Sequence, residues 1–194
     1  QELGYAEADP SFDVDGVDAA HKLAILTSLA FGCEVNFGAV HIEGIRHVSP
    51  VDIEFADELG YRIKLLGIAA QTETGIEQRV HPCMVPINAP IAGVEGVFNA
   101  VVADTDFADT IMHEGRGAGA GPTASAVVAD IIDIAANRLS PAFGIPAENL
   151  NKLKVSPIEN HVGAFYIRLM VVDKPGVFAD VAAVLRDNNV SMES

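Results

Sequence analysis

The chain has 194 residues, 49% of them hydrophobic, with a mean hydropathy of +0.28: enough apolar material for one packed domain or one and a part. Its net charge is −15 with only 12 Lys plus Arg, a surface that repels phosphate backbones and anionic membranes, so nucleic-acid and membrane partners are excluded. No window approaches 18 uncharged apolar residues, which argues against a transmembrane helix.

The chain opens Gln-Glu, without an initiator Met or the basic start and apolar run of a secretory signal. A fragment or trimmed piece of a cytoplasmic protein is expected. Cys33 and Cys83 lie far apart in apolar surroundings and read as buried thiols in a reducing compartment.

Charge concentrates at once. Glu7, Asp9, Asp13, Asp15 and Asp18 precede a single cation, Lys22. Residues 16–31 read as a helix in which Leu23, Ile25, Leu26, Leu29 and Phe31 give a broad apolar surface and Gly32 is the C-cap. Ser49-Pro50 opens a second helix, with Ser as N-cap and Asp52 near the positive end of the dipole; it stops at Gly60. Tyr61 to Ala70 reads as a strand, Thr74-Gly75 as a turn, and Gln78 to Val85 as the returning half of a hairpin.

Pro86 and Pro90 punctuate a loop. Val97 to Ala103 and Thr110 to His113 read as strands that lead into the glycine-rich run 115–121, and Pro122 starts a helix. Residues 139–157, with four prolines or glycines in key places, read as a linker. After it the pattern restarts: strand from Phe165 to Val172, turn at Asp173 to Gly176, helix from Val177 to Arg186, and a strand from Val190.

A lone lysine on an exposed helix face is ordinarily a solubility residue. Lys22, however, follows Asp18 by one helical turn, so the two share a face, and in a closed cleft the pair can handle a proton at a carbon being oxidised or reduced. Glu7 and Asp13 suit the ammonium group of an amino-acid substrate, or simply favour a helix N-terminus. The glycines at 115, 117, 119 and 121 let backbone N–H groups approach a ligand, although a flexible turn has the same composition. Position 120 is Ala, so the run is no G-x-G-x-x-G dinucleotide fingerprint. His41, Glu43 and His47, with His81 or His113, could be arranged as ligands, but no CxxC or HExxH spacing supports them and no metal site is expected.

Read in full order, Gly4, Tyr5, Glu7, Asp9-Pro10, Asp13, Gly16, Asp18 and Lys22 resemble the signature of homoserine dehydrogenases without a gap. The resemblance implies that Lys22 and Asp18 are catalytic and meet the reacting hydroxyl, with Lys22 the proton donor toward the aldehyde. It implies that Glu7 holds the substrate amino group, that Asp13 is a supporting or substrate-binding carboxylate, and that Tyr5 lines the pocket.

Gly117-Ala118-Gly119 followed by Pro122 to Asp130 is similar to the same family, where this loop closes over the nicotinamide side of the cofactor. Val94 to Val101 also matches and reads as structural. Tyr166 to Leu185, with its Asp173-Lys-Pro-Gly176 turn, resembles the opening of an ACT domain.

The implied fold is α+β: a mixed β-sheet with helices packed on one face at 1–156, a substrate-binding and dimerisation region, then a truncated ferredoxin-like ACT segment at 157–194. The implied activity is interconversion of L-homoserine and L-aspartate 4-semialdehyde with NADP or NAD, bound mainly by an amino-terminal Rossmann domain outside this chain. A homodimer, a threonine effector and inactivity of this piece alone follow as expectations, with an amino-acid-sensing or dimerisation module as the alternative.

Overall fold

The computed structural model describes residues 10–192, so Tyr5, Glu7 and Asp9 of the acidic segment lie outside the described residues. The chain divides into two compact units, one ending at Val162 and one beginning at Gly163.

The first unit opens with a single helical turn, α1 (Ser11–Val14), and α2 (Val17–Phe31), separated by Gly16 at φ +78. α2 ends at Gly32 in the left-handed conformation, as the C-cap reading expects. Its buried face consists of Ala20, Leu23, Ala24, Thr27 and Ser28, the i, i+3, i+4 spacing of a helical stripe.

Of the expected apolar surface, Leu23 is buried, while Ile25, Leu26 and Leu29 are exposed. Small side chains win the inward face because α2 lies close against the sheet, where Leu23 faces Gly67 and a methyl group at Gly67 would stand 3.4 Å from Leu23. The buried hydroxyl of Thr27 is satisfied within the helix, donating to the Leu23 carbonyl at 2.8 Å.

The sheet under α2 is mixed. β1 (His41–Ile42) pairs parallel with β3 (Gly75–Pro86), and β2 (Tyr61–Thr72) pairs antiparallel with β3 along its whole length. Val80 stands opposite Gly67, and with Leu65, Ala69, Ala20, Leu23, Ala24 and Val40 it forms the core. Because side chains alternate along a strand, Glu77, Arg79, His81 and Cys83 share the opposite face.

α3 (Pro50–Glu58) packs against β2 and begins with a complete capping box. The Ser49 side chain accepts from the Asp52 amide, and the Asp52 carboxylate accepts from the Ser49 amide at 2.7 Å.

A second, two-stranded sheet of β4 (Phe98–Thr105) and β5 (Asp109–Arg116) leads into α4 (Ala120–Ala135). α4 starts two residues before Pro122, the expected first position, which puts the proline inside the first turn where its missing N–H costs nothing. Its Val127, Val128, Ile131, Ile132 and Ile134 are all exposed.

The expected linker is tied down at its end. Residues 151–156 run parallel beside β3 and the α2 C-terminus through the bridges Cys33–Asn151 and Ile76–Val155. The Ile76 amide donates to the Lys154 carbonyl at 2.8 Å, and the Ser156 amide donates to the Ile76 carbonyl at 2.9 Å.

In the second unit, α5 (Val177–Asp187) forms as expected, with Gly176 before it at φ +95. The strands expected at Phe165 to Val172 and from Val190 do not form among the described residues. The two segments form no ladder with each other, and Ile167, Leu169 and Val171 stay exposed.

Candidate functional site

α1 is too short to hold its own shape, since one helical turn fixes several dihedrals for a single hydrogen bond. It is held instead by neighbours. The Gly16 amide donates to the Asp13 carbonyl at 3.0 Å, closing the turn into α2. The Ile45 amide donates to the Val14 carbonyl at 2.9 Å, and the Arg46 guanidinium grips Asp15 with both nitrogens of its fork, one of them at 3.0 Å. Gly44 makes this approach possible: a Cβ there would collide with the Val14 carbonyl and the Asp15 backbone.

The α1–α2 corner so fixed places the expected residues. Asp18 sits in the first turn of α2, where a carboxylate meets the positive end of the helix dipole. Lys22 Nζ donates to Asp18 Oδ2 at 2.5 Å, and the two side chains keep 66% and 38% of their exposure. Asp13 is exposed on α1, immediately before the corner. The structure thus brings Asp18 and Lys22 into direct contact and puts Asp13 on the adjoining turn. Glu7 and Tyr5 precede that turn, outside the described residues.

Gly117, Ala118 and Gly119 are built on a different element pair, between β5 and α4. The Gly117 amide donates to the Val97 carbonyl at 3.0 Å, and a Cβ at Gly117 would meet the Asn99 side chain. The Arg116 guanidinium lies 5.4 Å from the centre of the Phe98 ring and pins the end of the hairpin. Gly119 is the N-cap of α4 and offers no side chain to its amides, which leaves the helix N-terminus open to an anion or a carbonyl oxygen.

Sequence reasoning missed a group of three rings beside the lysine. His21 stacks on Phe37 with centroids 4.0 Å apart and planes 4° from parallel, and its ring centre is 5.9 Å from that of Phe12 with planes 22° apart. The clamp from Arg46 to Asp15 was missed as well. Only chain folding joins these residues, and the aromatic His21 next to Lys22 was the one available signal.

Elsewhere, Glu77 on β3 is buried at 4% exposure, paired with Arg79, and 3.3 Å from His161 Nδ1. Burial and the Arg79 charge push His161 below the ordinary imidazole range. Burial raises the thiols of Cys33 and Cys83, and the guanidinium of Arg79 pulls Cys83 partly back. Both cysteines are free, Cys33 buried and Cys83 half-buried. A cavity of about 380 Å³ between Cys33, Gln78 and Lys152 contains none of the expected site residues. Among the described residues no group of three His, Cys, Asp or Glu side chains could hold a metal ion, and no helix is long and apolar enough to cross a membrane.

The family model described as homoserine dehydrogenase matches residues 1–132. A homoserine dehydrogenase of Pseudomonas aeruginosa is 46% identical over all of this chain, which covers 46% of that protein. The crystal structure of a homoserine dehydrogenase from Thiobacillus denitrificans superposes over the whole chain with a TM-score of 0.86 at 42% identity, and this chain covers 46% of it. A hyperthermophilic archaeal homoserine dehydrogenase in complex with NADPH matches 70% of the chain at a TM-score of 0.52 and 29% identity, over 38% of its own length. The chain spans about half the length of the curated relatives it matches.

Proposed function

This chain belongs to the homoserine dehydrogenase family, and from that premise we propose that it supplies the substrate-binding and proton-handling half of an enzyme interconverting L-homoserine and L-aspartate 4-semialdehyde. The observation that carries the proposal is the direct contact of Lys22 with Asp18 in the first turns of α2, beside an acidic approach and open to solvent.

NADP or NAD, when bound, supplies the hydride chemistry. Its nicotinamide end would rest against Gly117, Ala118 and Gly119, and its remainder would be held by a nucleotide-binding region outside this chain. In the reductive direction, Lys22 Nζ would give a proton to the aldehyde oxygen, which becomes the hydroxyl of homoserine. In the oxidative direction, the hydroxyl proton returns to Nζ. Asp18 holds the ammonium group in place through its hydrogen bond. Glu7 and Asp13 supply negative charge for the substrate ammonium group, and Tyr5 lines the pocket.

We assign residues 1–156 to this role and 157–194 to the start of an ACT-like regulatory module with threonine as its effector. A homodimer and a cytoplasmic location complete the reading. The exposed apolar face of α4 supports a larger assembly. The piece alone is expected to be inactive, since hydride transfer needs a held cofactor.

The test is homoserine oxidation by the full-length enzyme, followed as reduced nicotinamide at saturating cofactor. Loss of turnover in Lys22→Ala with homoserine still bound supports the assignment. Unchanged turnover overturns it.

A further inference from the structure

The cavity of about 380 Å³ beside the C-terminal end of α2 takes no part in the chemistry proposed above, yet it has the size of a small-molecule site. Three elements wall it: the loop after α2 with Glu34 and Val35, β3 with Gln78, and the segment 151–156 with Lys152, Leu153 and Val155. Backbone contacts fix these walls to one another. The Glu34 amide donates to the Asn151 carbonyl and the Asn151 amide donates to the Gly32 carbonyl, each at 3.0 Å, and Val155 is bridged to Ile76 of β3.

Gln78 stands two residues before the core residue Val80 and so shares its face of β3. It is only 6% exposed. Its Nε2 donates to the Asn36 carbonyl at a long 3.4 Å, and its enclosed Oε1 accepts no hydrogen bond among the described residues. A buried amide oxygen without a donor has lost water and gained nothing in return, and native proteins keep few such atoms. Because Gln78 lines the cavity, a donor bound there is within reach once the amide turns toward it.

Two other lining side chains carry opposite charges. Lys152 Nζ lies 3.9 Å from Glu34 Oε2, and both side chains are exposed. The pair is loose: a charge-assisted hydrogen bond spans about 2.7–2.9 Å, and solvent screens a contact of this kind. Both groups therefore keep bonding capacity for a ligand. Val35, Leu153 and Val155 make the rest of the wall aliphatic. A lone carboxylate would be repelled by Glu34 and a lone amine by Lys152, whereas a molecule that carries both charges close together satisfies both.

We propose that this cavity binds a small free amino acid with a branched aliphatic side chain. The ligand carboxylate accepts from Lys152 Nζ, its ammonium group donates to Glu34 and to Gln78 Oε1, and its side chain rests on Val35, Leu153 and Val155. The site uses none of Asp13, Asp18, Lys22 or Gly117 to Gly119, so it stands whether or not those residues handle homoserine.

Calorimetric titration of the full-length enzyme with L-valine tests it, beside two half-ligands: isovalerate, which lacks the ammonium group, and isobutylamine, which lacks the carboxylate. L-Valine should bind saturably, and each half-ligand about ten- to a hundredfold more weakly, as expected when a charged hydrogen bond is lost. Lys152→Ala and Glu34→Gln change exposed side chains; each should weaken L-valine by a similar factor and leave homoserine turnover unchanged. Gln78→Leu should weaken it too, and because a buried change can disturb folding, Lys152→Ala decides.

No saturable binding of L-valine overturns the proposal. So does a half-ligand that binds as well as L-valine, since the cavity then takes an amine or a carboxylate alone. If Lys152→Ala and Glu34→Gln leave L-valine affinity unchanged, the amino acid sits elsewhere and the proposal fails. Lys22→Ala should not alter L-valine affinity; a loss there would place the ligand in the homoserine site and overturn the proposal as well.

Discussion

Lys22 Nζ lies 2.5 Å from Asp18 Oδ2, one helical turn along α2, with both side chains still open to solvent. An exposed i, i+4 pair of this kind stabilises a helix by only about 0.3–0.5 kcal/mol, so its removal should leave the fold intact. Lys22→Ala is expected to lower kcat of the full-length enzyme by about 10²–10⁴-fold, the usual contribution of a positioned acid or base. Circular dichroism should be unchanged, which separates lost chemistry from lost structure. Asp18→Asn keeps a hydrogen-bond acceptor and should lose less.

Gly44 lets two chain segments touch, because any Cβ there meets the Val14 carbonyl and the Asp15 backbone. Gly44→Ala must push the α1–α2 corner away from the Arg46 loop. An overpacked contact of this kind costs about 1–3 kcal/mol. Urea denaturation of this chain should show that loss, and homoserine KM of the full-length enzyme should rise with it.

Acid should loosen the face of the sheet that carries Glu77. His161 has its pKa lowered from the ordinary 6.5 by burial and by the Arg79 charge. The unfolded chain therefore takes up the proton first, and its protonation favours unfolding. This contribution is fully present above about pH 6.5 and is lost as pH falls below that value toward the lower folded pKa. Urea midpoints measured at pH 7.5 and 5.5 should differ more in the native chain than in His161→Gln. An equal pH dependence in the two would show that His161 is not the group responsible.

The two thiols should be slow nucleophiles. Burial raises both, and the thiolate is the reactive form. Iodoacetamide at pH 7.5, mapped by mass spectrometry, should label Cys33 and Cys83 far more slowly in the folded chain than in urea. Arg79→Ala removes the charge that pulls Cys83 down and should slow Cys83 further.

Much of the fold is legible in local chemistry. Ser49, Pro50 and Asp52 spell a helix start, and the structure forms the full capping box there. The β2–β3 and β4–β5 hairpins follow from β-branched runs separated by turn residues. The Asp18–Lys22 contact follows from helix periodicity alone.

What the sequence left open or missed depended on a partner distant in sequence. Ile25, Leu26 and Leu29 belong to the broad apolar surface of α2, but composition does not say which face lies on the sheet, and it is the small one of Ala20, Ala24 and Ser28. Strands at 165–172 and from 190 have the right residues and no ladder among the described residues.

The sequence by itself determined the family signature, the capped helices, the hairpins and the one-turn spacing of Asp18 and Lys22, because each of these depends on neighbours within a few residues. Only the tertiary structure decided which face of α2 is buried, that residues 151–156 are laid against β3, and that Arg46, Phe37 and His21 converge on the α1–α2 corner. Close packing and ring stacking act between surfaces that chain folding brings together, and no local pattern encodes which surfaces will meet.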